Sequence, residues 1–211
     1  MLDAIAGVLT RPMRFFQGLA EGHRVSGALW VVLSVSLVSA LASYFLGLPF
    51  QEALTGAPFA AATPIITAIA GFTTPFVTWL FYGLLVRIGA GMEAKPWAVA
   101  GYALTPQLLL NTVLLVVVVA FPIDVTPVNI DVNNAQAFEE ANLQVQREIE
   151  ASVAGRVGQG MGYLGTLWWV VLIFLGVRET AGQRGAVRAT FLVGIVAVSF
   201  VLGSLLFAPS S

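Results

Sequence analysis

The residues that could do chemistry in this chain are few and scattered. Asp124 and Asp131 lie seven positions apart and could in principle bind a cation, although solvated loop acids are the commoner explanation of such a pair. His23 is the only histidine, and with Arg24 beside it we expect a contact with lipid headgroups rather than a ligand role. No HExxH motif is present. The sequence therefore predicts no enzyme, no cofactor and no metal site.

A proline surrounded by polar groups is the most unusual feature of the stretch AGYALTPQLLLN, residues 100–111. Pro106 has no N–H, and its ring crowds the carbonyl of Tyr102, so a helix here loses one hydrogen bond. Thr105 and Asn111 are the nearby polar side chains that could satisfy this carbonyl. We therefore expect a kinked helix with its own compensating donor.

A second proline, Pro75, would free the carbonyl of Gly71 in the same way. Two kinked helices that follow each other along the chain are either shaped to pack together or border a gate or groove. The groove alternative would suit a transporter, channel or lipid-handling protein, with Thr105, Gln107 and Asn111 as its polar lining.

The composition predicts a membrane protein. Apolar residues make up 58% of the chain and charged residues 10%, against about 25% charged in a soluble domain. No charge occurs between Gly27 and Gly47 or between Ala53 and Val86, and uncharged runs of about 18 residues or more are candidate spans. The chain has no cysteine, which excludes disulfides and thiolate sites, and its net charge of −1 favours no nucleic-acid partner.

The fold class predicted is all-α: a polytopic membrane protein with five transmembrane helices. A single membrane domain covers 27–207, after a cytoplasmic N-terminal segment 1–26. The spans are expected at about 27–48, 64–88, 97–121, 160–177 and 187–207. None has an ionisable residue near its centre, where catalysis or ion-coupled transport would need one, and an intramembrane hydrolase is therefore disfavoured.

The orientation follows from the basic residues in the connections. Two of them, Arg147 and Arg156, belong to one long loop. The remaining eight fall on the opposite side and are Arg11, Arg14, Arg24, Arg87, Lys95, Arg178, Arg184 and Arg188. We therefore expect a multi-pass protein of the cell (inner) membrane with a cytoplasmic N-terminus and an external C-terminus.

Two segments outside the spans have amphipathic patterns. In the first 20 residues, an apolar face of Leu2, Ile5, Leu9, Met13 and Phe16 predicts an interfacial helix on the cytoplasmic leaflet, broken or kinked at Pro12. The alternative is a simple lead-in to the first span. The extracytoplasmic loop 122–158 should be extended at first and then form an amphipathic helix at about 134–153. Its apolar face of Phe138, Val145, Ile149 and Val153 would pack on its own bundle or dock an external partner.

Small residues recur at four-residue spacing, which lets membrane helices approach closely. The pairs are Gly158 with Gly162 and Ser39 with Ser43, and a third row contains Ala186, Thr190 and Gly194. They predict packing within the bundle or, alternatively, contact with a membrane-protein partner or a second copy.

Three short motifs resemble the Yip family, the Ypt/Rab-interacting integral membrane proteins and their prokaryotic relatives. They are GYALTP at 101–106, RPMRFF at 11–16 and LGVRETAG at 175–182. The resemblance implies five spans with a cytoplasmic N-terminus and a membrane-organising role without catalysis. Eukaryotic members bind small prenylated GTPases through a long soluble N-terminal region. At most 26 residues precede the first predicted span here, so small GTPase binding is doubtful.

The sequence thus predicts a non-enzymatic membrane protein that organises the membrane or acts as a scaffold or accessory subunit through helix packing. Its expected partners are membrane lipids and a membrane-protein partner or homo-oligomer. The alternative is a small transporter, channel or lipid-handling protein that uses a groove at the kinked second and third spans.

Overall fold

The computed structural model describes residues 2–22, 26–54, 59–128 and 135–206. Every regular element in this part of the chain is helical, which confirms the all-α prediction. The helices are α1 (Leu2–Thr10), α2 (Pro12–Ala20), α3 (Gly27–Ala53), α4 (Thr63–Ala90), α5 (Pro96–Ala103), α6 (Thr105–Ala120), α7 (Ala135–Ala151) and α8 (Val153–Leu206). Short 3-10 turns at Ala60–Ala62 and Met92–Ala94 precede α4 and α5.

Long helices with exposed apolar side chains account for most of the chain. Four candidate membrane spans meet the criteria of length and apolar composition: Gly27–Ala53, Ala60–Ala90, Pro96–Ala120 and Val153–Ser199. Large apolar side chains such as Trp30, Ile69 and Leu167 are more than half exposed along them. In water such surfaces would aggregate, whereas lipid tails solvate them at no cost. The prediction of a membrane-integral protein agrees with these helices.

The last of these spans differs from the sequence prediction of two separate helices, 160–177 and 187–207. Both predicted spans, as far as Leu206, fall within the single element α8, whose backbone leaves the helical region only at Gly182, with φ 78° and ψ 174°. Side chains strongly disfavour a positive φ, so glycine is the residue suited to this joint between two helices.

The helix residues divide between two compact units. The first comprises Met1–Val35, Pro75–Gln107 and Tyr163–Ser211, and the second comprises Ser36–Thr74 and Leu108–Gly162. Each unit has its own buried residues and its own contacts.

In the second unit, α7 packs on the end of α3. Ala141 and Val145 on α7 are buried with Ala53 and Leu54, and Ile149 continues the same stripe. The predicted apolar face is therefore wrong at its two ends, because Phe138 is 40% and Val153 55% exposed. The buried stripe runs through Ala141, Val145 and Ile149, at the spacing i, i+4 and i+8.

The same unit contains one row of small residues in close contact. A Cβ at Gly71 would lie 2.8 Å from the Ser39 carbonyl oxygen and 2.8 Å from Ser43 Cβ, and Thr67 Oγ1 donates to the Ser43 carbonyl at 2.9 Å. The serine pair predicted at four-residue spacing thus packs α3 against α4 within the bundle. At Gly162 a Cβ would meet nothing within 4 Å, so that glycine does not pack in this way.

In the first unit, the predicted third span is interrupted at Leu104, between α5 and α6. The Leu104 N–H donates to the Gly101 carbonyl at 3.2 Å, as in a tighter turn, and Pro106 follows in the first turn of α6. Thr105 Oγ1 donates to the Tyr102 carbonyl at 2.6 Å, and both residues are fully buried. The carbonyl that loses its helical donor to Pro106 is therefore satisfied by the preceding side chain.

We predict that Thr105→Val lowers the free energy of unfolding by about 1 kcal/mol, because the fully buried Tyr102 carbonyl would lose its side-chain donor and keep only the backbone N–H at the end of α5. The matched control is Thr112→Val, whose hydroxyl donates to the Leu108 carbonyl inside the regular helix α6. That carbonyl also accepts a backbone N–H, so the control should change little. Unfolding in detergent micelles measures both variants, and equal losses would contradict the assignment.

A second prediction concerns pH and the loop that follows α6. Glu148 Oε2 accepts the Thr126 N–H at 2.8 Å, and this bond, followed by one from Gln144, holds the pKa of Glu148 below its ordinary value. A lowered pKa stabilises the folded state above the ordinary value of about 4.5 and loses that contribution as pH falls through the folded-state pKa. Amide exchange at Thr126, corrected for its intrinsic rate, should therefore accelerate as the pH falls below about 4.5.

In the variant Glu148→Gln, the corrected exchange rate of the Thr126 amide should no longer vary over this pH range, because the side chain at 148 cannot ionise. Glu140→Gln, on the exposed side of α7, is the control and should retain the wild-type pH profile. A wild-type-like profile in Glu148→Gln would show that another group controls the loop.

Candidate functional site

Helix α5 is surrounded by protein on all sides. Every residue from Ala98 to Pro106 is buried, and Tyr102 is among the largest fully buried side chains. The Tyr102 hydroxyl lies where a Cβ at Gly27 would be, and a Cβ at Gly101 would lie 2.9 Å from Ala28 Cβ. The start of α3 thus approaches α5 closely because glycine is present on both sides of the contact.

The N-terminal helix pair packs against this buried helix. The Phe15 ring contacts the Tyr102 ring edge to face, with centroids 4.7 Å apart, and this geometry is favourable for aromatic pairs. Phe16 is fully buried, and its Cε1 atom lies 3.0 Å from the position that a Cβ at Gly176 would occupy. A larger residue at 176 would displace the Phe16 ring. The motifs RPMRFF, GYALTP and LGVRETAG therefore meet at one place in the first unit.

The predicted apolar face of this N-terminal segment is only partly correct. Pro12 does divide it, since α1 ends at Thr10 and α2 begins at Pro12. The buried residues are Ala4 and Val8 on α1 and Phe16 and Leu19 on α2, whereas the expected Leu2 and Met13 are exposed. The break changes the register between the two helices, so a single helical stripe could not predict the packed face.

Lys95 anchors the far end of α2. Its ammonium group donates to the carbonyls of Leu19 at 2.5 Å and Ala20 at 2.9 Å, in the last turn of the helix. The Leu19 carbonyl also accepts the Gly22 N–H at 3.1 Å. Both carbonyls lie at the negative end of the helix dipole, which a cation stabilises. Lys95 itself has a left-handed backbone, with φ 48°, at the start of α5.

Two further polar contacts connect the LGVRETAG motif to its surroundings. Gln17 Nε2 donates to Glu179 Oε2 at 3.2 Å, and Arg178 holds the other oxygen of Glu179 at 2.7 Å. Thr180 Oγ1 donates to the Ala94 carbonyl at 3.1 Å. Polar side chains of the motif are therefore hydrogen-bonded to α2 and to the turn before α5. Within the motif, Arg178 and Glu179 also pair with each other.

The predicted site residues fall into different places. Tyr102, Thr105, Pro106 and Pro75 belong to the first unit and are buried, whereas Asn111 belongs to the second and is half-buried. Asp124 is exposed, and Asp131 and His23 lie outside the described residues. Sequence reasoning missed Lys95 and the Gln17–Glu179 pair, because these contacts join residues far apart along the chain.

The arrangement is one of packing and mutual hydrogen bonds. Aromatic rings and small residues form its interior, and the polar atoms at its edge bind one another or backbone carbonyls. On its exposed surface the first unit carries the arginines Arg11, Arg14, Arg87, Arg184 and Arg188. Chemically, these guanidinium groups suit phosphate or carboxylate contacts.

Comparison with known proteins identifies the family of this chain. No curated protein and no solved structure matches the chain significantly. The family model of the Yip1 domain matches residues 6–207, which includes all three motifs that meet at Tyr102 and nearly the whole chain. The protein belongs to the Yip family of membrane proteins.

Proposed function

We propose that this protein is a non-enzymatic membrane scaffold or accessory subunit that organises lipids or partner proteins. The observation that carries the proposal is the meeting of three family motifs in a buried cluster around Tyr102, where their side chains pack on each other. Members of the Yip family are known as non-enzymatic membrane proteins, which agrees with this role. In this proposal the motifs exist to hold the N-terminal helix pair rigidly on the membrane domain.

The proposed topology has five spans, with the N-terminus in the cytoplasm of the cell (inner) membrane and the C-terminus outside. The candidate span Val153–Ser199 has 47 residues and would measure about 70 Å, more than twice the roughly 30 Å hydrocarbon core. Two crossings joined at Gly182 fit this length. Exposed arginines on α2, α4 and α8 support a cytoplasmic location of the first unit's basic surface.

In the same topology α1 and α2, within the segment 1–26, lie at the cytoplasmic interface, and α7 lies outside, in the loop 122–158. Phe16 and Leu19 are buried against protein, whereas Arg11 and Arg14 are exposed. This pattern suits a helix pair with one face on the bundle and one face near the lipid headgroups. Lipids are therefore the first partner. Small GTPase binding remains doubtful, because the residues around α2 are already engaged in contacts within the protein.

The partner surface we propose is on the second part of α8. Here a shallow apolar groove of about 620 Å³ is lined by Phe174, Val187, Thr190, Phe191, Gly194, Ile195, Val198 and Ser199. A Cβ at Gly194 would meet nothing within 4 Å, so this small residue is not used for packing in the chain itself. Of the row Ala186, Thr190 and Gly194, the structure buries Ala186 and leaves the glycine open to a second helix.

Transport is the weaker alternative. It would need a passage beside the kinked helices, but Pro75 and Pro106 are both buried and the Thr105 hydroxyl is occupied by the Tyr102 carbonyl. A flux or lipid-scrambling assay in liposomes separates the two functions, since a scaffold gives no activity above that of empty vesicles.

The scaffold proposal predicts a homo-oligomer or a co-purified membrane partner in mild detergent. Native mass spectrometry of the wild type should detect it. Gly194→Leu, which fills the groove, should weaken the association by on the order of tenfold. Gly160→Leu is the matched control, because a Cβ there also meets nothing within 4 Å but lies outside the groove. A monomer without partner in the wild type would count against the proposal.

A further prediction tests the anchoring of α2. Phe16→Ala removes a fully buried ring, at a cost of about 3–5 kcal/mol, and should raise amide exchange in α1 and α2 by a factor of about 150 to 5,000. Met13→Ala, on the same helix but 47% exposed, is the control and should leave exchange near the wild-type rate. If both variants exchange alike, the helix pair is not held through Phe16.

A further inference from the structure

A second cavity lies in the second unit, between the end of α3 and the end of α6. Its volume is about 250 Å³, and it is lined by Phe45, Leu48, Pro49, Glu52, Val118, Val119, Pro122 and Ile123. Both helices are candidate spans that end at this level, at Ala53 and Ala120. The cavity is therefore situated where the headgroups of a lipid bilayer meet its hydrocarbon core.

Two of the residues that line the cavity carry hydrogen-bond acceptors. Glu52 contributes an exposed carboxylate at the rim. Pro49 stands within α3 and has no N–H, so the carbonyl of Phe45, four residues earlier, lacks its helical donor. None of the lining residues is Lys or Arg. A ligand that fits this set must carry positive charge and N–H donors.

The walls of the cavity are fixed by contacts outside it. Val118 and Ile123 are buried in a cluster with Ala154. The Val128 N–H donates to the Ala53 carbonyl at 2.8 Å, which ties the segment after Pro122 to the end of α3. A binding site that is formed in advance loses little conformational entropy when it is occupied.

We propose that this cavity binds the ammonium headgroup of phosphatidylethanolamine. A primary ammonium carries three N–H donors and a positive charge, which match the Glu52 carboxylate and the Phe45 carbonyl. The cavity is smaller than the roughly 300–1,000 Å³ of sites that enclose a drug-sized ligand, so it holds the headgroup while the acyl chains stay in the bilayer. A choline headgroup has no N–H to donate, and an anionic headgroup would face the carboxylate. The site is independent of the scaffold function.

Native mass spectrometry with two soluble short-chain lipids tests this proposal. The probes are phosphatidylethanolamine and phosphatidylcholine with identical acyl chains. The wild type should bind the ethanolamine lipid about tenfold more tightly, and Glu52→Gln should remove that preference. Glu139→Gln makes the same charge change on the exposed surface of α7 and should keep it. Thermal unfolding of each variant checks that the fold is unchanged.

A second variant tests the carbonyl without any change of charge. Pro49→Ala restores an N–H that occupies the Phe45 carbonyl, and it should reduce the preference for ethanolamine by a factor of about three to ten. Equal binding of the two lipids by the wild type would overturn the proposal. So would a preference that survives in Glu52→Gln or disappears equally in Glu139→Gln.

Discussion

The burial of α5 is the constraint on which the first unit depends. A helix surrounded by protein from Ala98 to Pro106 cannot leave a carbonyl unsatisfied, yet Pro106 removes the donor for Tyr102. The Thr105 hydroxyl resolves the conflict within one turn. This break is satisfied locally, and the Tyr102 side chain packs against Phe15 and the start of α3.

The other contacts of the first unit described above involve the elements that surround α5. Phe16 fills the space left by Gly176, and Lys95 stabilises the exposed carbonyl end of α2. Gln17 and Glu179 then join α2 to the joint of α8. Each contact joins a local feature, such as a helix end or a small residue, to a partner that is distant along the chain. The result is an N-terminal helix pair that is held on α5 and α8 by contacts from several elements.

The sequence predicted features that depend on local chemistry. The break at Pro12, the orphaned carbonyl of Tyr102 and Thr105 as one of its two candidate donors all follow from the properties of proline and its neighbours. The helical class and the apolar spans follow from composition and run length. The extent of α3 beyond Pro49 did not follow, because that proline stays within the helix.

Contacts between residues that are distant along the chain could not be predicted from the sequence. Membrane helices are apolar on every side, so periodicity does not show which face meets protein and which meets lipid. Gly185 and Ala189 of α8 lie against Ala90 and Gly89 of α4, whereas a Cβ at Gly194 in the predicted row would meet nothing within 4 Å. Likewise, the left-handed backbone of Lys95 and its reach to α2 have no local signature.

The measurement that tests the central claim most directly is a distance between α2 and the turn before α5. The chain has no cysteine, so Met13→Cys and Glu93→Cys, both exposed positions, can be spin-labelled without background. Double electron–electron resonance on protein reconstituted in lipid should give a single narrow distance distribution if the helix pair is fixed on α5. A broad distribution would show that α2 moves freely and would contradict the account.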